Sequence, residues 1–99
     1  MKKEIESLNK AFENRIRIGI MSVLMVNERV DFNTLKETLD TTDGNLASHL
    51  NGLEKLNYVS VKKQFLGKKP NTSYATTAKG RRAFEEHLNA LERILKSLK

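Results

Sequence analysis

Residues 33–80 constrain this chain more than any other stretch, because two helical signals run directly into two strand signals with no linker between them. Val30-Asp31-Phe32 has the composition of a short strand, and Asn33 reads as the N-cap of a polar helix, Thr34–Leu39, with Leu35 and Leu39 toward a core. Asp40-Thr41-Thr42 makes a turn, and Thr42 or Asp43 caps a second helix, Asp43–Leu56. There Leu46, Leu50, Leu53 and Leu56 recur at helical spacing as one apolar stripe, and Asn57 stops the helix. Tyr58–Phe65 then alternates as a strand does, with Tyr58, Val59, Val61 and Phe65 apolar and Phe65 expected in the core. Leu66–Thr72 holds a glycine and the only proline, the composition of a hairpin tip, and Ser73–Thr76 returns as a second strand.

The flanks of this unit are helical. Ile5, Leu8 and Phe12, then Ile16, Ile20, Val23 and Leu24, predict one helix over about 3–26, with a shift of register past Phe12. Thr77 caps a last helix over about 77–98. The 99 residues contain no repeat or linker and make one domain, 1–99, able to bury a single modest core. The order helix, turn, helix, strand, basic loop, strand is that of a winged helix-turn-helix. The helix-turn-helix covers about 33–56 and the wing about 58–76, so the fold expected is mainly α with a small β-hairpin wing.

Charge gives this architecture a partner. The formal net charge is +6, and a basic balance favours a polyanion. Placement matters more than the total. Lys62, Lys63, Lys68, Lys69, Lys79, Arg81 and Arg82 fall in one 21-residue window that contains no Asp or Glu. The second helix, with its leucines inward, leaves Asp43, Asn45, Ser48, His49, Gly52 and Lys55 outside. Short polar groups near a helix N-terminus suit the major groove. Asn45 can pair with adenine through two hydrogen bonds, and Ser48 can adapt to either strand. Thr42, Asn45, Ser48, His49 and Lys55 are therefore the candidate reading residues. His49 has three possible roles: contacting DNA, bonding the preceding helix or facing solvent. Lys62, Lys68 and Lys69, with Asn71 and Thr72 as neutral donors and acceptors, are candidates for the phosphate backbone or the adjacent minor groove. Gly44, near the start of the helix, would permit close approach to a DNA backbone.

Other functions find little support. No nucleophile, histidine and carboxylate fall at catalytic spacing, and no glycine-rich phosphate loop follows a strand, so an enzyme is not expected. Cysteine is absent and His49 and His87 stand apart, so neither a metal nor another cofactor is expected. The longest apolar run, Ile18–Val26, is interrupted by Gly19 and Ser22 and is too short to span a bilayer; a cytoplasmic location is the expectation. Single-stranded RNA would need exposed aromatic platforms, and Phe65 is the one candidate. A winged helix used only for protein–protein association is the alternative, but it would want an apolar reading face or an acidic wing.

The runs Phe32-Asn33-Thr34-Leu35-Lys36, Asp43-Gly44-Asn45-Leu46-Ala47-Ser48-His49-Leu50, Leu53-Glu54-Lys55-Leu56-Asn57-Tyr58-Val59 and Lys68–Arg81 resemble the winged-helix regulators close to the MarR and ArsR groups, over about residues 12–90. The resemblance implies duplex DNA as partner, a homodimer, and repression by occlusion of a promoter. It names no effector. Metal-sensing relatives carry Cys and His clusters that this chain lacks, and the wing bears lysines where the family often has arginine.

The ends of the chain carry a further pattern. Phe84, Leu88, Leu91, Leu95 and Leu98 are spaced as a heptad seam, and Ile5, Leu8 and Phe12 offer similar spacing. Phe84 and Leu88 are expected to pack on their own domain. Ile5, Leu8, Phe12, Leu88, Leu91, Leu95 and Leu98 are the candidate dimerisation residues. Two helices reading DNA about a two-fold axis would address a palindrome, with half-sites roughly 34 Å apart.

Overall fold

The computed structural model describes residues 1–99. The elements are α1 (Lys2–Glu6), a 3-10 turn (Lys10–Phe12), α2 (Arg15–Val26), β1 (Val30–Asp31), α3 (Phe32–Leu39), α4 (Asp43–Lys55), β2 (Val59–Leu66), β3 (Lys69–Thr76) and α5 (Ala78–Ser97). α3 and α4 form the helix-turn-helix, and β2 and β3 form the wing.

The single helix expected over 3–26 is instead three pieces. Two asparagines cause the breaks. Asn9 accepts from the Ala11 N–H at 2.9 Å, and Asn14 accepts from the Ile16 N–H at 2.8 Å, each capping a new start. A short polar side chain that satisfies local backbone donors competes with helix continuation. The resulting bend turns Phe12 inward, where it is fully buried against Tyr58, Phe84 and His87. Phe12 is therefore a core residue and not a dimerisation residue.

The N-cap of α3 is Asp31 rather than Asn33. Its carboxylate accepts from the Thr34 N–H at 2.8 Å, so the helix begins two residues earlier than expected and leaves Asn33 exposed inside it. The same hydrogen bond lowers the Asp31 pKa. Asp40 closes α3 in the left-handed conformation (φ 47°), and Thr42 caps α4 by accepting from the Asn45 N–H. α4 ends one residue short of Leu56, which is exposed, while Leu46, Leu50 and Leu53 are buried. Asn57, at φ 62°, turns the chain into β2.

The sheet order is β1-β3-β2, all antiparallel. The wing is longer than its composition indicates. Gly67-Lys68 alone makes the turn, with Leu66 opposite Lys69, so Pro70, Asn71 and Thr72 belong to β3 rather than to a loop. β3 is the central strand, yet β1 pairs with it only at Ser73 and Tyr74. Pro70 thus sits where β3 has a single neighbour, the setting in which a strand tolerates proline. Phe65, expected in the core, lies opposite Pro70 near the tip and is 73 % exposed.

The core gathers Ile20, Met21 and Leu24 of α2, Leu35 of α3, the α4 leucines, Val59, and Phe84 of α5 around Phe12. α5 packs inward through Gly80, Phe84, His87 and Ala90. Its N-terminus is fixed beside the wing, because Thr77 Oγ1 accepts from the Gly80 N–H and itself donates to the Asn57 carbonyl at 2.7 Å. A Cβ on Gly80 would collide with the Tyr58 carbonyl, so only glycine allows this approach. No helix is long and apolar enough to cross a membrane.

Candidate nucleic-acid interface

The division of α4 into two faces creates the site. Leucines hold its inner face, so Thr42, Asn45 and Ser48 stand exposed on the outer one. Thr42, Asn45 and His49 line an open groove of about 550 Å³ together with Asn14, Arg15 and Ile16 of the α2 start and Asp40 and Thr41 of the turn. Two helix N-termini, those of α2 and α4, therefore face the same space, and their partial positive charges favour an anion there. Arg15 adds a full positive charge, opposed by the Asp40 carboxylate on the same groove. Asp43, near the same helix end, is paired with Lys36 at 2.8 Å, which offsets its repulsion toward phosphates.

Lys55 does not join this group. It is exposed at the far end of α4 beside Asn51 and Glu54, roughly 15 Å along the axis from Asn45 at 1.5 Å per residue. Gly44 opens onto solvent, with nothing near the position of a Cβ.

His49 has a partner on a different helix from the one considered in the sequence. Arg17 of α2 donates from Nε to His49 Nδ1 at 3.0 Å, and its guanidinium lies over Gly52, where a Cβ would meet it. Burial, and then the Arg17 charge, lowers the His49 pKa, which favours the neutral ring that this hydrogen bond requires. Arg15 and Arg17 went unnoticed in the sequence. Gly52, a glycine in a helix interior three residues after His49, was the signal that a neighbour approaches there.

On the wing, Lys62, Lys68 and Lys69 are all exposed, Lys68 in the turn itself. Asn71 and Thr72 are half-buried lower on β3, lining a groove with Asp31, Phe32 and Asn33 at the start of α3. They belong to the hollow between wing and helix rather than to the tip. Arg29 supports the base of the wing, donating to the Ser73 carbonyl at 3.2 Å.

Away from this surface, α5 presents a second apolar face. Leu88, Leu91, Leu95 and Leu98 are exposed, joined by Ile5 and Met1 of the N-terminal segment, while Leu8 is half-buried. Leu88, expected to pack on its own domain, is 44 % exposed, because the inward positions are His87 and Ala90.

A reading helix with a buried back, a turn from a preceding helix and a basic two-stranded wing define a winged helix-turn-helix DNA-docking domain. Comparison with known proteins agrees. The family model of the winged helix DNA-binding domain matches residues 16–95. An uncharacterised protein of Methanocaldococcus jannaschii is 36% identical over 89 residues, covering 90% of this chain and 97% of that one. Among solved structures, the transcriptional regulator homologue from Pyrococcus horikoshii OT3 superposes with a TM-score of 0.90 at 28% identity, over 100% of this chain and 99% of that one. Reduced AbfR bound to DNA has a TM-score of 0.66 at 19% identity, over 98% of this chain and 81% of its own. The chain belongs to the winged helix DNA-binding domain family, with the architecture of the MarR-like transcriptional regulators.

Proposed function

We propose that the chain is a sequence-specific duplex-DNA-binding regulator. In this reading two copies pair through α5 and the N-terminal segment, occupy a palindromic operator and repress by occlusion. The observation that carries it is the outward pair Asn45 and Ser48 on a leucine-backed helix, beside a wing whose exposed charges are all basic. Each lysine that neutralises a phosphate contributes affinity without sequence preference, whereas base-edge contacts confer the preference. AbfR, a structure of the same fold, is seen bound to DNA. The exposed leucines Leu91, Leu95 and Leu98 favour the two-fold assembly, since a lone helix would leave that seam in water. The site has binding rather than catalytic chemistry, and a cytoplasmic setting follows from the role.

The test is selection from a pool of random duplexes at two salt concentrations. Wild-type protein should enrich a palindrome. Asn45→Ala/Ser48→Ala should lose the preference. Lys68→Ala/Lys69→Ala should weaken all sequences alike and flatten the salt dependence by about two phosphate contacts. Binding indifferent to sequence and to the α4 pair would sink specific regulation and favour a protein partner on the same face.

A further inference from the structure

The end of the wing carries an apolar group that phosphate binding does not explain. Phe65 is 73 % and Leu66 59 % exposed, and Pro70, directly across from Phe65, is exposed too. Successive strand residues point to opposite faces. Phe65 with Pro70 therefore covers one face of the ribbon end, and Leu66 the other. The two-residue turn Gly67-Lys68 leaves nothing beyond them to cover these side chains. Lys68 in the turn and Lys69 opposite Leu66 flank the group, Lys63 lies on the Phe65 face below it, and no Asp or Glu occurs anywhere from residue 55 to residue 84.

That charge selects the occupant. A second copy would bring the same lysines and be repelled. An anionic lipid surface would attract the lysines, but Phe65 with Pro70 and Leu66 lie on opposite faces of the ribbon and offer no single apolar face to lay on it. The minor groove of duplex DNA has both complements, phosphates on its rims and, once a base step at its floor is opened, the apolar faces of two base pairs.

We propose that the wing tip is an apolar wedge, in which Phe65 or Leu66 enters the minor groove and opens a base step, bending the duplex beside the site that α4 reads. The proposal rests on the duplex-DNA reading above. The lysines hold the flanking phosphates while the wedge separates two base pairs, a mode in which Phe, Leu and Pro recur. Opening is easiest at pyrimidine–purine steps, TA above all. The wing thereby selects for flanking sequence through deformability, although lysine cannot read base edges as arginine does.

The probe is an alternating d(TA) duplex with 2-aminopurine at one adenine position and a dye pair on its ends. Anisotropy reports binding, 2-aminopurine emission reports unstacking, and energy transfer reports bending. At saturation, wild-type protein should raise the emission and shorten the end-to-end distance. Phe65→Ala/Leu66→Ala should still bind, through its lysines, but lose both signals. Phe65→Leu should keep them, and all variants should melt as wild type because the side chains are exposed. Saturated wild-type binding with neither signal overturns the wedge and leaves the duplex-DNA reading intact. Absence of binding to any duplex overturns both. A change in the sedimentation of free protein on Phe65→Ala/Leu66→Ala would make the tip a contact between copies. Preferential single-strand binding lost with Phe65→Ala would make it a stacking platform. Either result overturns the proposal.

Discussion

Arg17 on α2 donates from Nε to Nδ1 of His49 on α4 across 3.0 Å, so α4 is tied to α2 through a nitrogen that must carry no proton. His87 is placed alike, its Nδ1 accepting from the Asn9 N–H at 2.9 Å with the ring buried against Phe12. Protonating either ring sets a donor against a donor.

Acid is therefore expected to destabilise the domain earlier than carboxylate titration would. Both histidine pKa values are lowered, by burial first; the Arg17 charge adds to the effect at His49, and Glu13 opposes it at His87. A histidine lowered in the folded state binds its proton more readily when unfolded, at about 6.5. Stability is thus complete above that pH and declines as pH falls through 6.5 toward the folded values. Melting followed from pH 8 to pH 5 (roughly the range in which histidine titrates), with histidine ring protons titrated by NMR, checks this. Folded pKa values at or above the ordinary one would refute it.

Two glycines should answer alanine differently. At Gly52 the new Cβ meets the far end of the flexible Arg17 side chain, which can swing aside at the loss of its bond to His49. The helix gains up to about 1 kcal/mol from alanine and loses about as much in the hydrogen bond, so stability changes little. Sequence preference should shift, because Arg17 and His49 are displaced beside Asn45. At Gly80 the obstacle is the Tyr58 backbone, and Gly80→Ala should cost about 1–3 kcal/mol or more. Urea unfolding of both variants makes the comparison.

Phe12→Ala should destabilise the monomer by about 3–5 kcal/mol, the usual loss for a fully buried aromatic ring. An interface role would instead leave monomer stability alone and change only association. Unfolding measured at two protein concentrations separates the two.

Leu91→Asp/Leu95→Asp should yield a folded monomer. Sedimentation should show half the wild-type mass, and the concentration dependence of the melting temperature should disappear. DNA affinity should fall with it, since two tethered reading helices bind more tightly than one. A wild-type protein that is already monomeric at micromolar concentration would end the dimer proposal.

What could be read from the sequence followed periodicity and local chemistry. The α4 leucine stripe, up to Leu53 though not Leu56, the Thr42 and Thr77 caps and the Asn57 stop are local facts, and each stands where its residue type indicates. The N-terminal segment misled because its apolar spacing continues past two asparagines whose capping needs particular backbone angles. Pro70 and Gly67 suggested a long loop, and only the shortness of β1 makes a strand proline acceptable there. The seam on α5 was visible, but not that the fold turns His87 and Ala90 inward and leaves the more apolar Leu88 outside, because hydrophobicity alone points the other way and the choice is made by what the rest of the fold sets opposite them. The bond between Arg17 and His49 joins residues 32 apart in sequence, and no periodic pattern encodes that.

Around Tyr58 three elements meet in the space of a few atoms. The end of α4 feeds β2 there, the Thr77 N–H and the Thr76 hydroxyl both donate to the Tyr58 carbonyl, and Gly80 of α5 lies against that same oxygen. Two hydrogen bonds and a close backbone contact thus join the three elements at one carbonyl. In a paired assembly, the splay of the two α5 helices would carry the α4 helices and wings joined to them. The gap the protein spans along a duplex would then be set at the far ends of α5, by a seam that never touches DNA.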